Sequence, residues 1–255
     1  MDYTAFEDPT SMANYVQQQS VGDIIRNTFA IYGKGFVIIF LIYFPPLLPF
    51  AIYETHALAA NAIGRYWLIW LCSIPVSFPF AAAVTVAVSD ICLGNAPSLV
   101  RSYKKVCAIV PKLLGTNVLQ VLIIYTGFIL LVIPGIVAML WLIFTPSVVI
   151  LEGLGGFAAL KRSKDLAHGY NWRNLGVILL LLIILVVIGL IIGAIFGLLL
   201  PPATHAYLYP LVRAGLNLIT TTITLTMIVP LYYDLRVRKE AYDAAALAED
   251  LRRYR

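Results

Sequence analysis

The residues able to do chemistry are few in this chain, and they are scattered. His56, His168 and His205 are the three histidines. Metal ligation or general-base catalysis would need partners within a few ångströms, and no recognisable spacing supplies them. The topology argued below places them on different sides of a membrane, so each reads as a surface histidine. Cys72, Cys92 and Cys107 are odd in number and match neither a disulfide framework nor a metal site. They read as inert thiols. Gly153-Leu154-Gly155-Gly156 lacks the following Lys-Ser/Thr of a phosphate-cradling loop. No catalytic residue, metal ligand or cofactor is expected.

The charged residues form a clearer pattern. Asp90, Glu152 and Asp234 each close an apolar run, while Arg26, Arg101 and Arg162 sit in the polar segments between runs. An arginine-carboxylate fork is geometrically selective. One expectation is therefore that the acids pair with these arginines and pin polar helices to an apolar bundle. The competing expectation is side chains snorkelling at a wet interface. A further use of Arg26, Arg101, Lys104, Lys105, Lys161, Arg162 and Lys164 is to hold anionic lipid headgroups or a partner protein, each basic residue near a leaflet contributing about 1 kcal/mol. Asn217, Thr220, Thr221, Thr222, Thr224 and Thr226 make the last apolar run unusually polar. Threonines there usually bond the carbonyl four residues back. The alternative is a polar lining for a small solute, with Asn217, Thr220, Thr221 and Thr224 as candidates.

The elements that position these residues follow from composition. The 255-residue chain is 61% apolar and 12% charged, with mean hydropathy +0.88. A soluble domain with so few polar groups would not stay dispersed, so this is an integral membrane protein. Met1 to Ser20 carries Asp2, Glu7 and Asp8 and no basic residue, the opposite of a secretory signal, and is expected to be a flexible cytoplasmic tail. Residues 21–33 read as an amphipathic interfacial helix. Residues 35–53 are the first span, broken by Pro45, Pro46 and Pro49 and therefore expected to face neighbouring protein that covers the freed carbonyls.

Tyr66 to Asp90 crosses back, with Tyr66, Trp67 and Trp70 as an interfacial belt. A second amphipathic segment starts at Ala96-Pro97-Ser98, and Pro111 should end or bend it. Thr116 to Ile133 and Ile136 to Leu151 form a hairpin turning at Pro134-Gly135. The second arm, about 24 Å long at 1.5 Å per residue, is short for a hydrocarbon core of about 30 Å, so a re-entrant hairpin stays open beside a full crossing. Gly156 to Gly169 reads as a third surface helix, and Tyr170, Tyr103, Trp172 and Tyr232-Tyr233 as an inner aromatic belt. Leu175 to Leu200 is an uncharged span whose Gly189, Gly193 and Gly197 would let another helix approach closely. Leu211 to Tyr233 is the sixth span. Arg236/Glu240, Lys239/Asp243 and Glu249/Arg253 at i,i+4 spacing favour a cytoplasmic helix over 235–255.

With six crossings and a cytoplasmic N-terminus, sixteen Lys and Arg fall inside and only Arg65 and Arg213 outside. This positive-inside bias predicts both termini in the cytoplasm. The expected architecture is all-α: six transmembrane helices in three hairpins, each preceded by a cytoplasmic amphipathic helix. The units lie at about 21–92, 97–152 and 156–234 of a single membrane domain, 21–234.

Several stretches together resemble a prokaryotic family, the glycerophosphoryl diester phosphodiesterase membrane domain and its uncharacterised relatives. They are Ile133-Pro134-Gly135-Ile136; Ala159-Leu160-Lys161-Arg162-Ser163 with Leu166, Gly169 and Trp172; Gly22-Asp23-Ile24-Ile25 with Phe29 and Tyr32; and Leu231-Tyr232-Tyr233-Asp234-Leu235-Arg236-Val237-Arg238-Lys239-Glu240. The resemblance implies an all-helical membrane domain of the prokaryotic plasma membrane. It does not imply diesterase activity, because the catalytic barrel of that family has no counterpart here. The favoured expectation is a non-catalytic module docking membrane lipid, a partner protein or a second copy through its basic helices, with nothing pointing to nucleic acid. A transporter or channel subunit is the alternative. Against it stands the lack of an ionisable residue deep in any span, and for it the proline-broken first span.

Overall fold

The computed structural model describes residues 17–60, 62–199 and 202–240. Among them are helices α1 (Val21–Ala59), α2 (Ile63–Cys92), α3 (Leu99–Cys107), α4 (Val110–Leu130), α5 (Val132–Leu142), α6 (Thr145–Leu151), α7 (Gly156–Ala167), α8 (Asn171–Leu199) and α9 (Pro202–Glu240), with no strand. Six stretches are long and apolar enough to cross a membrane: Val21–Glu54, Ile63–Cys92, Val110–Leu130, Val132–Leu151, Asn171–Leu198 and Val212–Glu240. The chain is an all-α multi-pass membrane protein.

In the first unit, the surface helix expected over residues 21–33 is not a separate element, because α1 runs unbroken through Gly33-Lys34-Gly35. Gly35 serves packing rather than a turn. A Cβ there would come within 2.5 Å of Ile91 Cδ1 on α2, so the glycine lets the two helices close on each other. The second and third units do have short separate helices, and each buries one face. On α3 that face is Ser102 and Val106; on α7 it is Ala159, Leu160, Ser163, Leu166 and Ala167.

The prolines show how the broken ladders are repaired. Pro46 has no N–H for the Ile42 carbonyl four residues back, and Tyr103 of α3 donates its hydroxyl to that oxygen at 2.8 Å. In the fourth span, α5 stops at Leu142 and α6 restarts at Thr145. Pro146 leaves the Leu142 carbonyl without a donor, and Gln120 Nε2 of α4 supplies one at 2.9 Å. Ser163 Oγ of α7 donates to the neighbouring Trp141 carbonyl at 2.8 Å. An unmet carbonyl in lipid costs several kcal/mol, so these side chains make the breaks tolerable.

The central hairpin turns three residues earlier than Pro134-Gly135. Leu131 alone adopts extended backbone, φ −166° and ψ 156°, between α4 and α5. Pro134 falls in the first turn of α5, where a missing N–H leaves no ladder bond unmade. Gly135 is needed for contact between the arms: a Cβ on it would lie 2.4 Å from Phe128 Cγ, and one on Gly127 would lie 3.0 Å from Gly135 Cα. Pro111 likewise opens α4 rather than ending the helix before it.

Apolar burial is uneven. The core gathers Ile24, Ile39 and Ile42 of α1, Ala83, Val84 and Ala87 of α2, Val148 and Val149 of α6, and Met227 and Leu231 of α9. Between helices in lipid, close packing replaces the hydrophobic driving force, which suits the alanines of α2. Helix α8 is peripheral. It buries Val177, Leu181 and Leu185 at four-residue spacing and leaves Leu182, Ile183, Leu190 and Leu198 outward. Added Cβ atoms on Gly189, Gly193 or Gly197 would meet nothing within 4 Å, so the expected close approach of another helix is not made there among the described residues.

Candidate functional site

A chain of contacts gathers the ends of α1, α2, α6, α7, α8 and α9 at one end of the bundle. Helix α2 ends at Cys92, and Gly94 in left-handed backbone, φ +72°, lets Asn95 N–H turn back to the Asp90 carbonyl at 2.8 Å. Gly153, φ +69°, is likewise in left-handed backbone just past Glu152. Both loops lead into a short helix that sends an arginine back to the acid. Arg101 Nη1 lies 3.4 Å from Asp90 Oδ2, and Arg162 Nε lies 2.7 Å from Glu152 Oε2.

Glu152 is the centre of a network. Its Oε1 accepts the Tyr232 hydroxyl at 2.7 Å, joining α6 to α9. Arg162 Nη1 also reaches Glu240 Oε1 at 2.5 Å, and Arg236 Nε meets Glu240 Oε2 at 3.0 Å. Burial works against the Arg162 charge, but its hydrogen bonds to the Glu152 and Glu240 carboxylates and their negative charges outweigh it and raise its pKa above the ordinary arginine value. Next to Tyr232, Tyr233 shares a 2.7 Å hydrogen bond with Ser89 of α2.

Asp234 has different partners from those expected. Its side chain is 0% exposed and faces Arg173 of α8 and Arg238 of α9, not Arg26. Arg173 Nη1 sits 2.7 Å from Oδ2, close enough for ion pairing but too poorly aligned for a hydrogen bond. Arg238 Nε donates to both carboxylate oxygens at 3.1 and 3.0 Å. The segment preceding α1 completes the arrangement: Gln19 N–H donates to Asp234 Oδ1 at 2.7 Å. The Gln19 carbonyl accepts Nη2 of Arg173 at 2.8 Å and Nη2 of Arg238 at 2.7 Å.

Arg26 bonds Asp23 one turn earlier on its own helix at 2.7 Å, in an exposed i,i+3 pair. Lys164 lies 4.3 Å from the Trp141 ring centroid, Lys112 Nζ donates to the Gly153 carbonyl at 2.7 Å, and Lys239 Nζ to the Asp165 carbonyl. Lys105 is partly buried; burial depresses its pKa, nearby Asp90 offsets part of that, and Arg101 adds to the depression. Lys104 and Lys161 are exposed and make no ion pair among the described residues.

The hydroxyls of Thr220 and Thr221 both donate to the Asn217 carbonyl, and that of Thr224 to Thr220, all within α9. Asn217 itself is exposed. Thr222 adds a 3.0 Å contact with Tyr32 of α1. His56 and His168 are exposed; the side chain of His205 lies outside the described residues, as do Asp243, Glu249 and Arg253 and residues 1–16 of the tail expected over residues 1–20. Cys92 is buried and Cys72 and Cys107 are exposed, all as free thiols. Among the described residues no group of three or more His, Cys, Asp or Glu could hold a metal ion.

The family model of DUF7847, a domain of unknown function, matches residues 59–235. The chain belongs to the DUF7847 family. Asp90, Arg101, Glu152, Arg162, Arg173, Tyr232 and Asp234 all fall within the DUF7847 match, whereas Gln19, Arg26, Arg238 and Glu240 lie outside it. The match brings no link to the glycerophosphoryl diester phosphodiesterase membrane domain, so the family shown is an uncharacterised one. No solved structure matches the chain.

Arg173, Arg238 and Gln19 are residues of this end to which the sequence reading gave no pairing role, and Tyr232, expected as part of an aromatic belt, bonds Glu152 instead. Arg238 could have been found, since it stands four residues after Asp234 on one helix. Gln19 and Arg173 could not, because their contacts span 215 and 154 positions respectively.

Proposed function

We propose that this protein is a non-catalytic membrane module that holds anionic lipid headgroups at the basic end of its helix bundle. In this reading it sits in a prokaryotic plasma membrane with that end and both termini in the cytoplasm, as the Lys and Arg distribution favours. The observation that carries it is the charge left over at that end. Asp90, Glu152, Asp234 and Glu240 are each engaged by arginine, yet Lys104 and Lys161 are exposed and make no ion pair among the described residues. Unpaired ammonium groups at the edge of a leaflet attract anionic headgroups, each contributing about 1 kcal/mol. A partner protein with an acidic face would use the same groups. The likeness of the Pro134-Gly135 hairpin and the Arg162 helix to the glycerophosphoryl diester phosphodiesterase membrane domain fits such a role and carries no diesterase activity with it.

Purifying the protein from membranes and quantifying the lipid that stays bound tests this. Wild type should retain phosphatidylglycerol above its bulk share, and Lys104→Gln with Lys161→Gln should lower the excess. Retained lipid matching the bulk composition would overturn the proposal.

A transporter or channel subunit is the second reading. Favouring it are the break between α5 and α6 and the buried Thr145 and Ser147 hydroxyls beside it, which have no hydrogen-bond partner among the described residues. Solute flux into liposomes holding the purified protein would establish that reading.

A further inference from the structure

Gln19 is 2% exposed, and its carbonyl oxygen receives two guanidinium groups at once, Arg173 Nη2 at 2.8 Å and Arg238 Nη2 at 2.7 Å. A peptide carbonyl is neutral, and charge-assisted donors of this kind bind an anionic oxygen more strongly. The local charges do not balance. Two arginines, each about one-fifth exposed, face one carboxylate, Asp234, leaving a positive charge half-removed from water. Among the described residues no other acid claims it: Asp23 is turned to Arg26 and Ser20, and Glu240 to Arg162 and Arg236.

What covers the pair is a short strap, residues 17–20, rather than a helix or a packed core element. Ser20 ends the strap and caps α1: its Oγ accepts from Asp23 N–H at 3.1 Å and donates to Asp23 Oδ2 at 2.7 Å. Helix α1 therefore begins cleanly at Val21, and the strap can leave without unwinding it. The Gln19 side chain adds a further anchor, accepting from Asn27 Nδ2 at 3.0 Å, and Gln17 is engaged as well.

We propose that Arg173 and Arg238 form a binding site for the phosphate of an anionic lipid headgroup, and that the Gln19 carbonyl is its built-in stand-in. In the closed form shown here the strap occupies the site. When it swings out, one phosphate oxygen takes the place of the carbonyl oxygen and neutralises the surplus charge, while Asp234 keeps both guanidinium groups oriented. The inference rests on the anionic-lipid reading above and adds a second, gated site to the exposed lysines.

The test uses the full chain in detergent, titrated with phosphatidylglycerol, phosphatidylcholine or inorganic phosphate, with bound lipid counted by native mass spectrometry. Gln19→Pro removes the N–H that holds the strap to Asp234. It should raise phosphatidylglycerol affinity about tenfold, since opening the strap no longer opposes binding. Adding Arg173→Gln and Arg238→Gln should abolish that gain. Gln19→Gly, which loosens the strap while keeping both peptide groups, should give a smaller gain in the same direction, and thermal melts establish that each variant is folded. An equal gain for phosphatidylcholine, a gain that survives loss of both arginines, or no gain in folded Gln19→Pro and Gln19→Gly would each overturn the site. A gain for inorganic phosphate but not for the lipid would overturn the headgroup assignment. If wild type binds phosphatidylglycerol through Lys104 and Lys161 while the strap variants add nothing, the proposed function stands and this inference falls.

Discussion

Asp90 and Asp234 stand at the same end of the bundle, each near the end of a membrane-crossing stretch, and each faces arginine. The sequence presents them as equivalents. The structure separates them by depth: Asp90 keeps 13% of its side-chain surface and meets a 57% exposed Arg101 at 3.4 Å, whereas Asp234 keeps none and is held by two arginines and a backbone N–H. At Asp90, water competes for the exposed Arg101 and holding that long side chain in place costs entropy, so the pair adds little. In the interior no water can take over, and removing one partner strands the rest. The same pair of residue types is therefore incidental at one site and structural at the other. Glu152 is no deeper than Asp90, with 15% of its side chain exposed, yet its ligands from two helices place it between the two in connectivity.

The largest effect should come from Asp234→Asn. It leaves Arg173 and Arg238 facing each other across a neutral amide, and the loss should be roughly 3–5 kcal/mol in reversible unfolding in detergent. The strap should come loose as well, seen as faster hydrogen exchange at Gln19, because that amide loses its anionic acceptor. A loss near that of an ordinary surface change would dissolve the contrast between the two acids.

Second in size is the coupling between Glu152 and Arg162. A double-mutant cycle with Glu152→Ala and Arg162→Ala should give a coupling of about 1–3 kcal/mol, as expected for residues in one hydrogen-bonded network. Arg162 retains Glu240 when Glu152 is lost, and Glu152 retains Tyr232 when Arg162 is lost, so each single change should cost less than Asp234→Asn. Additive effects would mean that Glu152 belongs with Asp90 rather than in between.

Much of the fold was legible because its signals are local. Uncharged apolar runs mark the spans, and their polar interruptions mark α3 and α7. The Arg162–Glu152 and Arg101–Asp90 contacts could be named from sequence because a single short loop and one helical turn or two separate each acid from its arginine. Asp234 could not be assigned this way. Its ligands come from α8 and from the segment before α1, and nothing in a linear pattern reports that these meet. The continuity of α1 was hidden for a related reason. The expected boundary between surface helix and span falls at Gly33-Lys34-Gly35, while the Ile91 side chain that makes glycine necessary at position 35 lies on another helix. The prolines were half legible: that neighbours must cover the freed carbonyls follows from physics, but that Tyr103 and Gln120 do so requires the packing.

The smallest effect should be that of Arg101→Ala, and two opposed contributions explain why. Losing the exposed pair with Asp90 costs no more than about 1 kcal/mol. Against this, Arg101 is a like charge that helps depress the pKa of half-buried Lys105 below its ordinary value. A lysine with a lowered folded pKa binds fewer protons than the unfolded chain just below pH 10.5, so stability rises with pH through that window, and the cost of keeping it charged is fully present below it. Without Arg101 that cost shrinks, and Asp90 becomes free to serve Lys105. Stability at neutral pH should therefore change by less than about 0.5 kcal/mol, and the rise in melting temperature toward alkaline pH should flatten. Both are read from melting curves collected across that range. A steeper rise, or a loss approaching that of Asp234→Asn, would show that the pair at Asp90 is as structural as the buried one.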